Sequence, residues 1–218
     1  MTEPLVEFHD VSRKFSRDVP PALDAITCTI RQGARIALMG PSGSGKSTLL
    51  NLIAGLDTPT SGQIDWVGLG GPTALLPTKI GVMFQSRSLI PWLDVAENVV
   101  LPLQIAGQPA EARDQAIAAL AEFGLEQLAG KLPEELSGGQ AQRVSLVRAT
   151  IANPRLLLAD EPTGQLDHAT GSHVLSVLLK WAEESRAALL VASHDPFVAE
   201  VMATVWRLDH GQITETTR

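Results

Sequence analysis

The sequence predicts an α/β fold in which a parallel sheet is covered on both faces. Two runs, 156–159 and 187–192, are continuously apolar rather than alternating, the pattern of strands buried on both sides. A helical stretch at 168–184, with Val174, Leu178 and Trp181 on one face, lies between them. A third short apolar run, 34–39, leads through the glycine-rich stretch 40–48 into an apolar run of helical character at 49–54. Strands that alternate with helices in this way build parallel sheets with helices on both sides.

The rest of the chain fits that frame. Residues 4–15 read as a strand with Leu5, Val6, Phe8 and Val11 apolar, followed by a polar, proline-bearing loop at 16–21. Residues 23–39 hold two strands around the turn Arg31-Gln32-Gly33, and the helix after the glycine stretch ends at Gly55. A cluster of Pro, Thr, Ser and Gly at 57–62 marks a turn. Short strands follow at 63–67 and 79–85, around a Gly/Pro loop at 68–72 that has no strand-to-helix setting and so no dinucleotide role. From 91 to 153 the character is helical. The alanine-rich stretch 109–123 has Pro109 near its start and Gly124 at its end. Ser137 is placed to cap a helix that runs to Asn153 and is stopped by Pro154. Asp195 and Pro196 read as the cap and first residue of a helix to Met202, and a closing hairpin turns at 209–211. There are no internal repeats.

Composition bounds the class of function. The chain has 218 residues, 44% of them hydrophobic, which is enough for one large domain with a substantial core. The net charge of -7 argues against a nucleic-acid binder, and no nucleic-acid partner is expected. The single cysteine, Cys28, excludes an internal disulfide; it alternates with Ile26 and Ile30 and reads as a small buried apolar residue, suited to a reducing cytoplasm. No apolar run approaches the roughly 20 residues needed to span a bilayer. Residues 1–4 lack the basic and apolar parts of a secretory signal, so a membrane role is expected to come through a partner.

The glycine stretch carries the strongest chemical signal. Gly40, Pro41, Ser42, Gly43, Ser44, Gly45, Lys46, Ser47 and Thr48 read G-x-x-x-x-G-K-S-T between a strand and a helix. Glycines let successive N–H groups turn inward as a nest, and the helix start adds free N–H groups and a positive dipole end. Lys46 would place a full charge on the β- and γ-phosphates of a triphosphate such as ATP, and the Ser47 hydroxyl can ligate Mg²⁺. An ordinary glycine turn is the competing explanation. The strand at 156–159 ends in Asp160 and Glu161. At the carboxyl end of a strand in an open α/β sheet, Asp160 would hold Mg²⁺ through water and Glu161 would polarise the water that attacks the γ-phosphate.

Leu136-Ser137-Gly138-Gly139-Gln140 supplies a second serine-capped glycine cradle at a helix start. One nucleotide does not need two cradles in one subunit. With this segment the chain resembles the ATP-binding subunits of ABC transporters, whose signature is LSGGQ. The resemblance spans essentially the whole chain. It implies a P-loop NTPase with a RecA-like parallel-sheet core, a small antiparallel β subdomain and an inserted α-helical subdomain. The chain would be a single domain, 1–218, with 1–85 and 154–218 forming the β subdomain and ATP-binding core and 86–153 the helical subdomain. It further implies a head-to-tail homodimer with two ATP molecules between the subunits, in which Ser137, Gly138, Gly139 and Gln140 of each copy close on the ATP of the other.

By the same resemblance Gln85 touches Mg²⁺ and the attacking water, Asp167 is the aspartate of the loop after the second carboxylate, and His194 contacts the γ-phosphate. Phe15 stands where the family stacks an aromatic on adenine; this chain has no tyrosine, and phenylalanine keeps the stacking face. His9, His168, His173 and His210 have no such support. The runs 160–167 and 97–103 are most similar to the lipoprotein-release, macrolide-export and cell-division branch. That branch usually has Asn where this chain has Gln165, a longer segment between Trp66 and Lys79, and often a charged residue where this chain has Ala141. The resemblance implies integral membrane permease subunits as partners, a cytoplasmic position peripheral on the inner face of the cell membrane, and export or extraction as the direction of work. A soluble ABC-type ATPase acting on DNA or ribosomes and a P-loop kinase are the alternatives. Residues 86–95, with Leu89, Ile90, Pro91 and Trp92, either receive the permease or belong to the core of the helical part.

Overall fold

The computed structural model describes residues 2–16, 18–84, 89–108, 112–164 and 166–217. Two sheets organise it. The smaller is antiparallel, with β1 (Pro4–Arg13) between β2 (Leu23–Arg31) and β4 (Ser61–Asp65). The larger has six strands in the order β5 (Ile80–Met83), β6 (Leu156–Asp160), β7 (Ala188–Ser193), β3 (Arg35–Met39), β8 (Thr204–Asp209) and β9 (Gln212–Thr217). Every pairing in it is parallel except the last, where the closing hairpin lays β9 antiparallel on β8.

Period-two alternation divides the buried residues between two cores. In β3, Ala37 and Met39 face one side while Ile36 and Leu38 face the other; in β6, Leu157 and Ala159 oppose Leu156 and Leu158. The first core takes in α2 (Val95–Ile105), α3 (Ala112–Glu122), α4 (Gly138–Thr150) and α5 (His168–Ser185), together with α6 (Pro196–Val201). The second joins the large sheet to α1 (Lys46–Ile53) and the small sheet. Both faces of the parallel sheet are therefore covered, as its unbroken apolar strands require.

Register fixes the level of the strand ends. Asp160 pairs with Ala192, Ala192 with Leu38, and Ser193 with Met39. The chain segments that leave β3, β6 and β7 thus emerge side by side along one edge of the sheet.

Several boundaries differ from the sequence expectation, for local reasons. The strand expected at 63–67 lies at Ser61–Asp65; Trp66 leaves it and donates its indole N–H to the Ile53 carbonyl at 2.7 Å, and a 3₁₀ turn follows at Val67–Leu69. The helix expected to reach Asn153 ends at Thr150, whose hydroxyl bonds back to the Leu146 and Val147 carbonyls, and Asn153 is left-handed with φ 48°. Cys28 is half-buried rather than buried. The expected start of the helix at 109–111 and the end of the strand at 85 lie outside the described residues.

One buried polar knot shapes the surface next to α2. Asp94 caps this helix in a reciprocal box with Glu97 (2.7 and 2.8 Å). Asn98, fully buried, donates to the carbonyls of Ile90, Leu93 and Asp94 (3.1, 2.9 and 3.1 Å) and accepts from the Ile90 N–H (2.7 Å). The turn so held carries Trp92 outward, 78% exposed. Replacing Asn98 with Ala leaves this backbone unpaired inside the protein and is expected to cost roughly 3 kcal/mol, read as a lowered urea midpoint.

Burial, with the charge of Glu215, pushes the Cys28 thiol up to about 12. The raised value favours the thiol over the thiolate at every pH below it. Iodoacetamide at pH 8 is expected to label the native chain very slowly and the urea-unfolded chain readily, with mass spectrometry as the readout.

Candidate nucleotide site

The edge where β3, β6 and β7 end opens on a cleft of about 580 Å³. Ser42, Gly43, Gly45, Lys46, Ser47 and Thr48 line one side, Asp160, Glu161 and His194 another, and Phe15 and Ala22 complete it. The sequence-predicted loop, carboxylates, histidine and aromatic are thereby brought into one space. Of the other loop residues, Pro41 and Ser44 line a neighbouring recess with His210, and Gly40 stands behind.

The loop folds as its glycines permit. Gly45 caps α1 with φ 106°, a left-handed value, and a Cβ there would lie 2.4 Å from the Ala22 carbonyl oxygen. Lys46 curls over the loop, its Nζ donating to the carbonyls of Gly40 (2.8 Å) and Pro41 (3.0 Å). The Ser47 hydroxyl donates to Asp160 Oδ2 at 2.7 Å, which joins the helix start to the end of β6. Burial raises the Asp160 carboxyl above its ordinary value; the nearby Glu161 charge adds to this, while the Ser47 hydrogen bond and Lys46 oppose it.

Glu161 is buried and left-handed, with φ 51°. Its N–H donates to the Ala192 carbonyl (2.9 Å), and its own carbonyl accepts from Gln142 Nε2 (2.6 Å). One carboxylate oxygen lies 2.9 Å from His194 Nδ1, and the other accepts from the Ser193 hydroxyl at 3.2 Å. Glu161 is thus aimed from three directions.

Phe15 is 63% exposed, with the Arg13 guanidinium 4.4 Å from its ring centroid. Arg13 is itself held by Asp57 at 2.8 Å, and that hydrogen bond keeps the Asp57 carboxyl below its usual value. An aromatic ring this exposed beside a phosphate cradle suits a nucleobase better than a core.

Other expected residues stand apart from this cleft. Ser137 caps α4 in a reciprocal box with Gln140 (3.2 and 2.9 Å), and this segment, with Gly138 and Gly139, does not line the cleft of its own chain. Asp167 caps α5, accepting from the Thr170 N–H (3.0 Å) and hydroxyl (2.6 Å), and is likewise outside the cleft. Gln85 lies outside the described residues. Sequence reasoning missed Ser193, Gln142 and Arg13. Ser193 had a legible signal, a hydroxyl at the end of a buried strand beside His194. The other two had none, since each reaches its partner through the fold.

The donor set fits a hydrated divalent cation. Ser47 and Asp160 offer hard oxygens within 2.7 Å of each other, and among the described residues no cluster of three acidic, histidine or cysteine side chains forms a dedicated metal cage. Magnesium is bound in this manner, with one or two protein oxygens and the rest from phosphate and water.

A glycine loop at a helix start, a lysine held over it and a fixed carboxylate at the carboxyl edge of a parallel sheet can grip a triphosphate and direct water at its end, the chemistry of P-loop nucleoside triphosphatases. The comparisons narrow the class. The family described as ABC transporter matches residues 23–164, and the chain belongs to that family. The lipoprotein-releasing system ATP-binding protein LolD of Chromohalobacter salexigens is 40% identical over 94% of this chain and 90% of its own length. The macrolide export ATP-binding/permease protein MacB of Syntrophobacter fumaroxidans is 40% identical over 96% of this chain, which spans only 31% of that longer protein. Among solved structures, the dimeric post-hydrolysis state of the ATP-binding cassette MJ0796 with ADP and Pi superposes with a TM-score of 0.91 at 36% identity, covering 97% of this chain and 98% of that one. The chain is an ATP-binding and ATP-hydrolysing subunit of ABC type.

The close approach at Gly45 yields a direct test. Gly45→Ala forces a Cβ into the Ala22 carbonyl at a left-handed position, and is expected to lower ATP affinity at least about tenfold and stability by roughly 1–3 kcal/mol. Fluorescent-nucleotide titration and urea unfolding read the two effects.

Proposed function

We propose that the chain powers a separate membrane permease by closing head-to-tail on a second copy of itself around two ATP molecules, in the service of export or extraction. The carrying observation is the separation of the two cradles. The cleft of one chain holds the phosphate loop, carboxylates and His194, while the exposed Ser137 cap lies outside it. A second copy can supply that cap in trans. The dimeric state of the similar cassette MJ0796 supports this reading. The name of MacB, an ATP-binding/permease protein, supports the permease partner, and the inner face of the membrane is the place of work in this reading. No helix among the described residues is long and apolar enough to cross a membrane. The segment 86–153, which presents the exposed Trp92, is the part proposed to dock on the permease.

In this mechanism Lys46 leaves the Gly40 and Pro41 carbonyls and meets the β- and γ-phosphates, while Phe15 stacks on the adenine. Ser47 and Asp160, with Gln85, would hold Mg²⁺. The bound cation supplies charge neutralisation at the phosphates. Glu161 orients the attacking water and accepts its proton, with His194 and Ser193 fixing the carboxylate. Ser137 to Gln140 and Asp167 belong to the face that meets the other copy. Closure does work only because ATP favours the closed state, which must differ from the open one at the permease.

Glu161→Gln keeps the shape and removes the base. Turnover is expected to fall at least about 100-fold with ATP binding retained, and sedimentation with ATP should find a stable dimer. Wild-type turnover in that variant would overturn the assignment of the base. Affinity capture with the same variant and ATP from detergent-solubilised membranes of the source cell tests the permease. A polytopic membrane protein is the expected catch; ribosomes or DNA-bound factors would overturn the transport reading.

A further inference from the structure

Gln142 occupies a position that neither nucleotide site explains by itself. It lies on α4, five residues beyond Ser137, about 7.5 Å along the helix axis. Its Nε2 donates to the main-chain carbonyl of Glu161 at 2.6 Å. Its Oε1 is buried and, among the described residues, has no hydrogen-bond partner. The amide orientation is fixed all the same, because the reverse would set two carbonyl oxygens face to face.

The residue it grips is unusual. Glu161 is a non-glycine in the left-handed region, where its N–H still bonds to Ala192 on β7 but its carbonyl turns away towards α4. A strained backbone persists only where its surroundings hold it. Ala192 holds one end of this residue; at the other, the carbonyl accepts from Gln142 Nε2 and, at 3.2 Å, from the Gly164 N–H. The direction of the Glu161 side chain is set by that backbone as much as by His194 and Ser193.

We infer that Gln142 is a positioning residue that ties the Ser137 cradle, presented to one nucleotide of the dimer, to the carboxylate that acts on the other. The helix between them is continuous and short, so a displacement of its capped end by a phosphate of the opposite site reaches the Glu161 carbonyl through one hydrogen bond. Each site thereby senses whether the other is filled. The inference rests on the proposed dimer and on Glu161 as the base.

The test uses the full chain in steady-state ATP hydrolysis. Gln142→Glu preserves size and loses the donor when ionised; Gln142→Leu loses it at every pH. Both are expected to lower kcat at least about tenfold with KM for ATP within about twofold of wild type. The kcat deficit of Gln142→Glu should be at least as large as that of Gln142→Leu, because a carboxylate there sets an acceptor against the Glu161 carbonyl oxygen. Combining Ser137→Ala with Gln142→Leu should cost little more than either alone, the mark of residues acting through one path. A Gln142→Glu deficit smaller than that of Gln142→Leu, a rise in KM in place of the fall in kcat, or fully multiplicative losses in the double variant would overturn the inference. If Glu161→Gln is inactive while both Gln142 variants match wild type, this inference alone fails; if Glu161→Gln retains full turnover, the reading beneath it fails.

Discussion

A sheet that is apolar on both faces has nowhere to keep a charge except at the ends of its strands. In this chain the constraint is complete across β6 and β7, where even the last residues are buried. Asp160, Glu161 and His194 therefore collect along the single edge where β3, β6 and β7 finish, next to the phosphate loop. Burial there makes the Asp160 carboxyl reluctant to ionise without a counter-charge, and the nearest help is a hydroxyl and a lysine. The site is assembled by the same pattern that builds the core.

The two sides of the sheet have different tasks. The small antiparallel sheet and α1 back the phosphate loop and bring Phe15, with Arg13 and Asp57 behind it, towards the cleft. The helical side carries α4, with its capped glycine pair, and the exposed turn around Trp92 that Asn98 secures. ATP binding is thus built on one face and its proposed transmission on the other, with Glu161 at the boundary.

Much of this was legible in the sequence, for physical reasons that vary by element. The parallel strands show as unbroken apolar runs, and the phosphate loop shows because residue type and order are dictated by local backbone chemistry. Ser137 was legible as a cap because capping is decided within four residues. The ends of strands and helices were less legible. Trp66 left its strand for a carbonyl thirteen residues away, and Thr150 closed α4 with its own hydroxyl. The roles of Gln142 and Arg13 depend on distant partners that no spacing rule encodes. Asp167 and the Ser137 segment were expected at a nucleotide; in the single chain they are helix caps outside its cleft, and their nucleotide contacts belong to the proposed dimer.

The two hydrogen bonds of Lys46 to the Gly40 and Pro41 carbonyls have a thermodynamic consequence. The loop carries its own internal cation, so it is already shaped before any phosphate enters. Ligand capture is then an exchange of partners within a finished receptacle rather than the ordering of a slack one, and the entropy of organising nine residues is charged to folding instead of to binding. A phosphate entering this loop would meet an ammonium group already engaged by two neutral carbonyls.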